Sequence, residues 1–160
     1  MNRFGWLNSI VTNIAGPLHR RPRPEDDSFP TVLLVAGPET AAQAASPDWR
    51  LLTTGSLAEA ERLLGENEVA VALCDRDAPA VDWKRAVPAL AGTSSRPCVV
   101  LLTNSEDSQL WERVTAAGGY DVLRKPVSAE TLARAIRAGI SHWRNARALE
   151  AARMQEPLRK

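Results

Sequence analysis

Cysteine, histidine and aromatic residues are scarce in this chain. Only two cysteines and two histidines occur in 160 residues, and aromatics make up 5%. Cys74 and Cys98 have no partner at the spacing of a zinc shell or a redox pair, which excludes a disulfide scaffold and a cysteine-based metal centre. Each falls within an apolar run and reads as a buried free thiol of a reducing compartment, so a cytoplasmic location is expected. No apolar stretch approaches the roughly 20 residues that span a membrane. Asn8, Thr12 and Asn13 interrupt the apolar residues at the start of the chain, so a signal peptide is not expected. There is no Gly-rich phosphate loop, no HExxH and no nucleophile elbow. His19 and His142 both lie away from the apolar runs, and an enzyme is not expected.

What is present is an ordinary core and an uneven charge. Hydrophobic residues make up 44% of the chain, which suits one globular domain with extensions. The net charge is +1, yet residues 31–123 carry 7 Lys/Arg against 13 Asp/Glu, and residues 124–160 carry 9 against 3. An acidic body thus precedes a basic C-terminal arm, which serves either as a solvated helix face or as a contact for anionic partners. No helix-turn-helix follows the last predicted helix, so specific nucleic-acid binding is not expected.

Three regions are distinguished. In residues 1–30, Phe4, Leu7, Ile10, Val11, Ile14 and Leu18 recur at helical spacing up to Gly16-Pro17. A Pro/Arg-rich linker, from His19 through Arg23-Pro24 to Asp27, follows. Such an amphipathic helix on a tether suits docking on its own domain, binding a partner, or contact with a membrane surface. Residues 31–142 alternate strand and helix. Residues 143–160 prolong the last helix beyond its apolar stripe.

Within 31–142, strands are predicted at Thr31–Val35, Arg50–Thr53, Val69–Cys74, Pro97–Leu102 and Tyr120–Leu123. Helices are predicted at 39–45, at 57–65 behind Ser56, near 82–91, from Ser105 or Glu106 to Ala117, and from Ser128 onward. Pro88 should kink or shorten the third of these. The third strand, apolar without alternation and ending in Asp75, has the character of a central parallel strand buried on both faces. Strands alternating with helices imply right-handed crossovers. The expected fold class is α/β: a flavodoxin-like, doubly wound, five-stranded parallel sheet of order 2-1-3-4-5, with helices on both faces, an N-terminal amphipathic helix and an extended C-terminal helix.

Open α/β sheets place their chemistry at the carboxyl ends of the strands. Three polar residues fall there: Asp75, Thr103 after Val99-Val100-Leu101-Leu102, and Lys125 in Arg124-Lys125-Pro126. With Pro79 four residues beyond Asp75, and Ala117-Gly118-Gly119 before the fifth strand, the set resembles the receiver domain of bacterial two-component signalling over residues 31 to about 142. The resemblance implies that Asp75 is the candidate phosphoacceptor for a histidine kinase, that Thr103 binds the phosphoryl oxygens, and that Lys125 pairs first with the aspartate and then with the phosphate. A strand-end ion pair of Asp75 and Lys125, with Thr103 capping the next segment, would account for the same residues without phosphoryl chemistry.

The departures define the expectation more sharply. Receivers carry two adjacent acidic residues after the first strand to hold Mg²⁺, and here Ala36-Gly37 stand in that place. Mg²⁺ demands oxygen ligands in octahedral geometry, and the ion offsets the negative charge of an incoming phosphoryl group. The chain is therefore expected to bind Mg²⁺ weakly or not at all and to need no other cofactor, with Glu39 and Asp77 the substitute ligands to examine. The aromatic that the resemblance implies three residues before the lysine is Val122; Tyr120 lies two residues earlier and is expected on the same face by strand alternation. A degenerate receiver acting through protein contacts is the leading expectation, and a phosphoryl-accepting regulator with an unconventional metal site the alternative. Expected partners are a histidine kinase, another signalling protein, or a second copy meeting through the fourth and fifth helices at Trp111 and Trp143.

Overall fold

A computed structural model describes residues 29–78 and 81–156. The N-terminal helix, its linker and Pro79 lie outside the described residues. The strands are β1 (Thr31–Val35), β2 (Arg50–Thr54), β3 (Val71–Asp75), β4 (Cys98–Thr103) and β5 (Asp121–Arg124). The helices are α1 (Pro38–Ala44), α2 (Leu57–Glu66), α3 (Trp83–Ala91), α4 (Leu110–Ala116) and α5 (Ala129–Gln155). All neighbouring strands run parallel in the order β2-β1-β3-β4-β5.

The sheet separates two apolar layers, because successive strand residues point to opposite faces. On one face Leu33, Val35, Ala72, Cys74, Val99 and Leu101 pack with α2, α3 and α4. On the other, Val32, Leu34, Val71, Leu73, Val100 and Leu102 pack with α1 and α5. β1, β3 and β4 are buried along their whole length, which is why they read as continuous apolar runs. Each fully buried leucine contributes about 2 kcal/mol.

Helix boundaries follow the local side chains. Ser56 caps α2 by accepting from the Glu59 N–H, and Ser128 caps α5 by accepting from the Thr131 N–H. α3 runs through Pro88 and ends three residues later. α4 begins at Leu110, not at Ser105 or Glu106. Ser105 Oγ accepts from the Asp107 N–H, and Asp107 Oδ1 accepts from the Gln109 N–H, so side chains take the backbone donors that a helix would use. Gly118, at φ 98°, ends that segment in a conformation that favours glycine.

α5 packs closely on the sheet at Gly139, where a Cβ would come within 2.8 Å of Val71 Cγ2. Its apolar stripe is Leu132, Ile136 and Ile140. Beyond Trp143 every described residue of the helix is exposed. At about 40 Å, α5 overruns the sheet at the edge where the strands begin. No helix of the described residues is long and apolar enough to cross a membrane.

Candidate functional site

Asp75 is the last residue of β3 and is 8% exposed. The register pairs it with Leu102, which puts Thr103 one residue further along the neighbouring strand. Thr103 is paired with Arg124 on β5, and its carbonyl accepts from the Lys125 N–H at 2.8 Å. Three adjacent strand ends thus bring Asp75, Thr103 and Lys125 together. The Lys125–Pro126 peptide is cis.

Lys125 Nζ donates to Asp75 Oδ1 at 2.7 Å and lies 2.9 Å from Asp77 Oδ2. The Asp77 N–H also donates to Asp75 Oδ1, at 2.9 Å, and the Asn104 N–H donates to Asp77 Oδ2 at 2.8 Å. One ammonium therefore ties two carboxylates, and two backbone donors hold those carboxylates in place. Desolvation pulls the Lys125 ammonium toward deprotonation, but hydrogen bonds to Asp75 and Asp77 outweigh it and its pKa is raised. For Asp77, desolvation pushes the carboxyl upward, while Lys125, the Asn104 N–H and Arg76 outweigh it, and the pKa is lowered.

The buried hydroxyl of Thr103 accepts from the Ser105 N–H at 3.0 Å. It shapes the loop after β4 and keeps its own proton to donate. Burial pushes the Cys74 thiol, next to Asp75, up to about 12, so it takes no part as a nucleophile.

Beside the carboxylates, the Arg76 guanidinium lies 6.0 Å from the Trp83 ring centroid, and so does that of Arg113 from α4. Nη1 of Arg76 is buried without a hydrogen-bond partner. Sequence reasoning missed this stacking. Its only signal was a cation directly after the strand-end aspartate, with a tryptophan at the start of the next helix.

The carboxylates at this edge come from the end of β3 and not from the end of β1. Extending the β1–β3 register by one residue places Ala36 opposite Asp75, and neither Ala36 nor Gly37 carries an oxygen side chain. Asp77, weighed as a substitute ligand, faces Lys125 instead. Among the described residues no three His, Cys, Asp or Glu side chains gather as a metal shell, so Glu39 does not join Asp75 and Asp77. Lys125 takes one oxygen of each carboxylate, Oδ1 of Asp75 and Oδ2 of Asp77.

Two further expectations change. Tyr120 does not share a face with Val122: Tyr120 packs in the α1/α5 layer and stacks on His142 at 5.1 Å, whereas Val122 packs in the α2–α4 layer. The strand begins only at Asp121, so alternation does not extend back to Tyr120, which leaves the Gly118-Gly119 turn. Trp111 is exposed at 54%, but Trp143 is half-buried, its Nε1 donating to the Ser95 carbonyl at 2.8 Å. Trp143 thus anchors α5 to its own domain.

The architecture matches solved structures that include signal receiver domains. The signal receiver domain of an HD domain-containing protein from Pseudomonas fluorescens is 23% identical, with a TM-score of 0.66 over 85% of this chain and 98% of that one. The fold is that of a receiver domain. A second receiver domain, from a sensor histidine kinase of Pseudomonas aeruginosa and solved with a magnesium ion coordinated in its active-site cleft, is 22% identical, with a TM-score of 0.60 over 71% of this chain and 98% of that one. An adenylate cyclase structure from Rhodopirellula baltica is 20% identical, with a TM-score of 0.71 over 80% of this chain and 99% of that one. No family model and no curated protein matches the sequence. In this receiver fold, Asp75, Thr103 and Lys125 occupy the carboxyl edge of the sheet, the edge where open α/β folds hold their ligands.

Proposed function

We propose that the chain is a receiver-like signalling module of the two-component type that works by binding proteins, with phosphorylation of Asp75 weak or absent. One observation carries this reading. Lys125 pairs with both Asp75 and Asp77 from within the protein, while the two positions that would add metal-binding carboxylates are Ala36 and Gly37. Without a divalent ion, an incoming phosphoryl group meets two carboxylates and one ammonium already committed to them, and the charge that builds up in transfer is poorly offset.

The partner is a histidine kinase, another regulator or a second copy of the chain. Exposed Trp111 on α4 is the aromatic best placed to anchor a partner. The proposed role is binding, not catalysis.

The alternative, a phosphoryl-accepting regulator with an unconventional metal site, draws on the retained Asp75, Thr103 and Lys125. A Mg²⁺ titration followed through tryptophan fluorescence separates the two, because Trp83 packs against Arg76, the residue after Asp75. The expected result is no saturable change. A saturable response that Asp75→Asn abolishes would favour the alternative.

A further inference from the structure

A wide concavity of the described residues lies far from Asp75. It is a groove of about 1440 Å³ between the outer part of α5 and the edge where β4 and β5 begin. Pro97, Cys98 and Tyr120 line it from the sheet side, and Trp143, Leu149 and Met154 from the helix side. Three contacts brace the helix there: Trp143 on the Ser95 carbonyl, Arg147 on Glu68, and Arg96 on Glu150. Leu149 and Met154 are nevertheless 62% and 82% exposed, and Phe29, just before β1, is 60% exposed. Apolar side chains are thus left uncovered at one end of the domain.

The geometry points to one occupant: this chain's own residues 4–15, docked along the groove as an amphipathic helix. The chain enters the sheet at the same edge. The Thr31 carbonyl accepts from the Ala70 N–H, and the Ala70 carbonyl accepts from the Cys98 N–H. Two strand spacings, about 10 Å, therefore separate the start of β1 from the groove floor. Residues 19–28 reach up to roughly 33 Å when extended, so the tether is long enough. A helix over residues 4–15, up to Gly16-Pro17, is about 18 Å long and about 10 Å wide. Its apolar stripe of Phe4, Leu7, Val11 and Ile14 supplies what Leu149 and Met154 lack.

The test uses the full chain. Ser9 falls opposite the apolar stripe, and both native cysteines are buried, so a nitroxide attached through Ser9→Cys reports on the segment without blocking it. The amide signals of Gly119, Ala146 and Ala151 should lose most of their intensity when label and isotope are on the same molecule. Leu149→Asp combined with Met154→Asp should restore those signals and leave the strand signals unchanged. Absence of broadening at the groove, or broadening that survives the two substitutions, would overturn the proposal. Broadening seen only when label and isotope are on different molecules would overturn it in favour of a second copy. Absence of broadening together with cosedimentation of the chain with anionic vesicles would overturn it in favour of a lipid surface.

Discussion

Lys125 Nζ stands 2.9 Å from Oδ2 of Asp77, nearly as close as it stands to Asp75. The lysine holds the loop after β3 against the end of β5. The stability of this edge follows from that arrangement, and weak binding of Mg²⁺ is what the proposed function predicts.

Lys125→Ala leaves two carboxylates facing each other with no ammonium between them. Only Asp75 of the three is buried, so removing the ammonium leaves that carboxylate unpaired and beside a second one. The expected loss is about 2 kcal/mol in urea unfolding. Asp77→Asn should cost less, about 0.5 kcal/mol, because the Asp77 side chain is 35% exposed and solvent screens its pairing. A larger loss for Asp77→Asn than for Lys125→Ala would contradict the arrangement.

The pH dependence follows from the two shifts. The Asp77 pKa is lowered on folding, so its contribution is present above the unfolded carboxyl value of about 4 and is lost as pH falls through the lower folded value. The Lys125 pKa is raised, so its contribution is complete below the unfolded lysine value of about 10.4 and is lost as pH climbs through the higher folded value. The stability difference between wild type and Asp77→Asn, measured by urea titration, should be flat near neutrality and shrink on the acid side. A difference that grows as pH falls below about 4 would show that the sign is wrong.

Much of this was legible in the sequence, for identifiable reasons. β1, β3 and β4 announced themselves because central parallel strands need apolar side chains on both faces, and the strand order followed from their alternation with helices. Asp75, Thr103 and Lys125 were legible because each stands at the end of such a run. The role of Asp77 was not: its choice of Lys125 depends on the path of the loop after β3 and on the Asn104 N–H, neither of which periodicity encodes. The late start of α4 was hidden because Ser105 and Asp107 serve equally as helix caps and as turn formers. Tyr120 was misplaced because alternation was carried across a glycine turn into a strand that begins one residue later.

Restoring the missing carboxylates should restore metal binding. A Cβ at Gly37 meets nothing within 4 Å, its φ of −74° suits any residue, and Ala36 lies across from Asp75. The variant Ala36→Asp/Gly37→Asp, with Asp77→Asn to release one arm of Lys125, should fold and show a saturable Mg²⁺ response in tryptophan fluorescence that the wild type lacks. A folded variant as silent as the wild type would show that the two positions are not what limits metal binding.

The most direct measurement is the intact mass of the wild-type chain after incubation with acetyl phosphate and Mg²⁺. The arrangement of Lys125 between Asp75 and Asp77 predicts an unchanged mass, or only a trace of singly phosphorylated protein. Rapid, stoichiometric gain of one phosphoryl group, absent in Asp75→Asn, would contradict it.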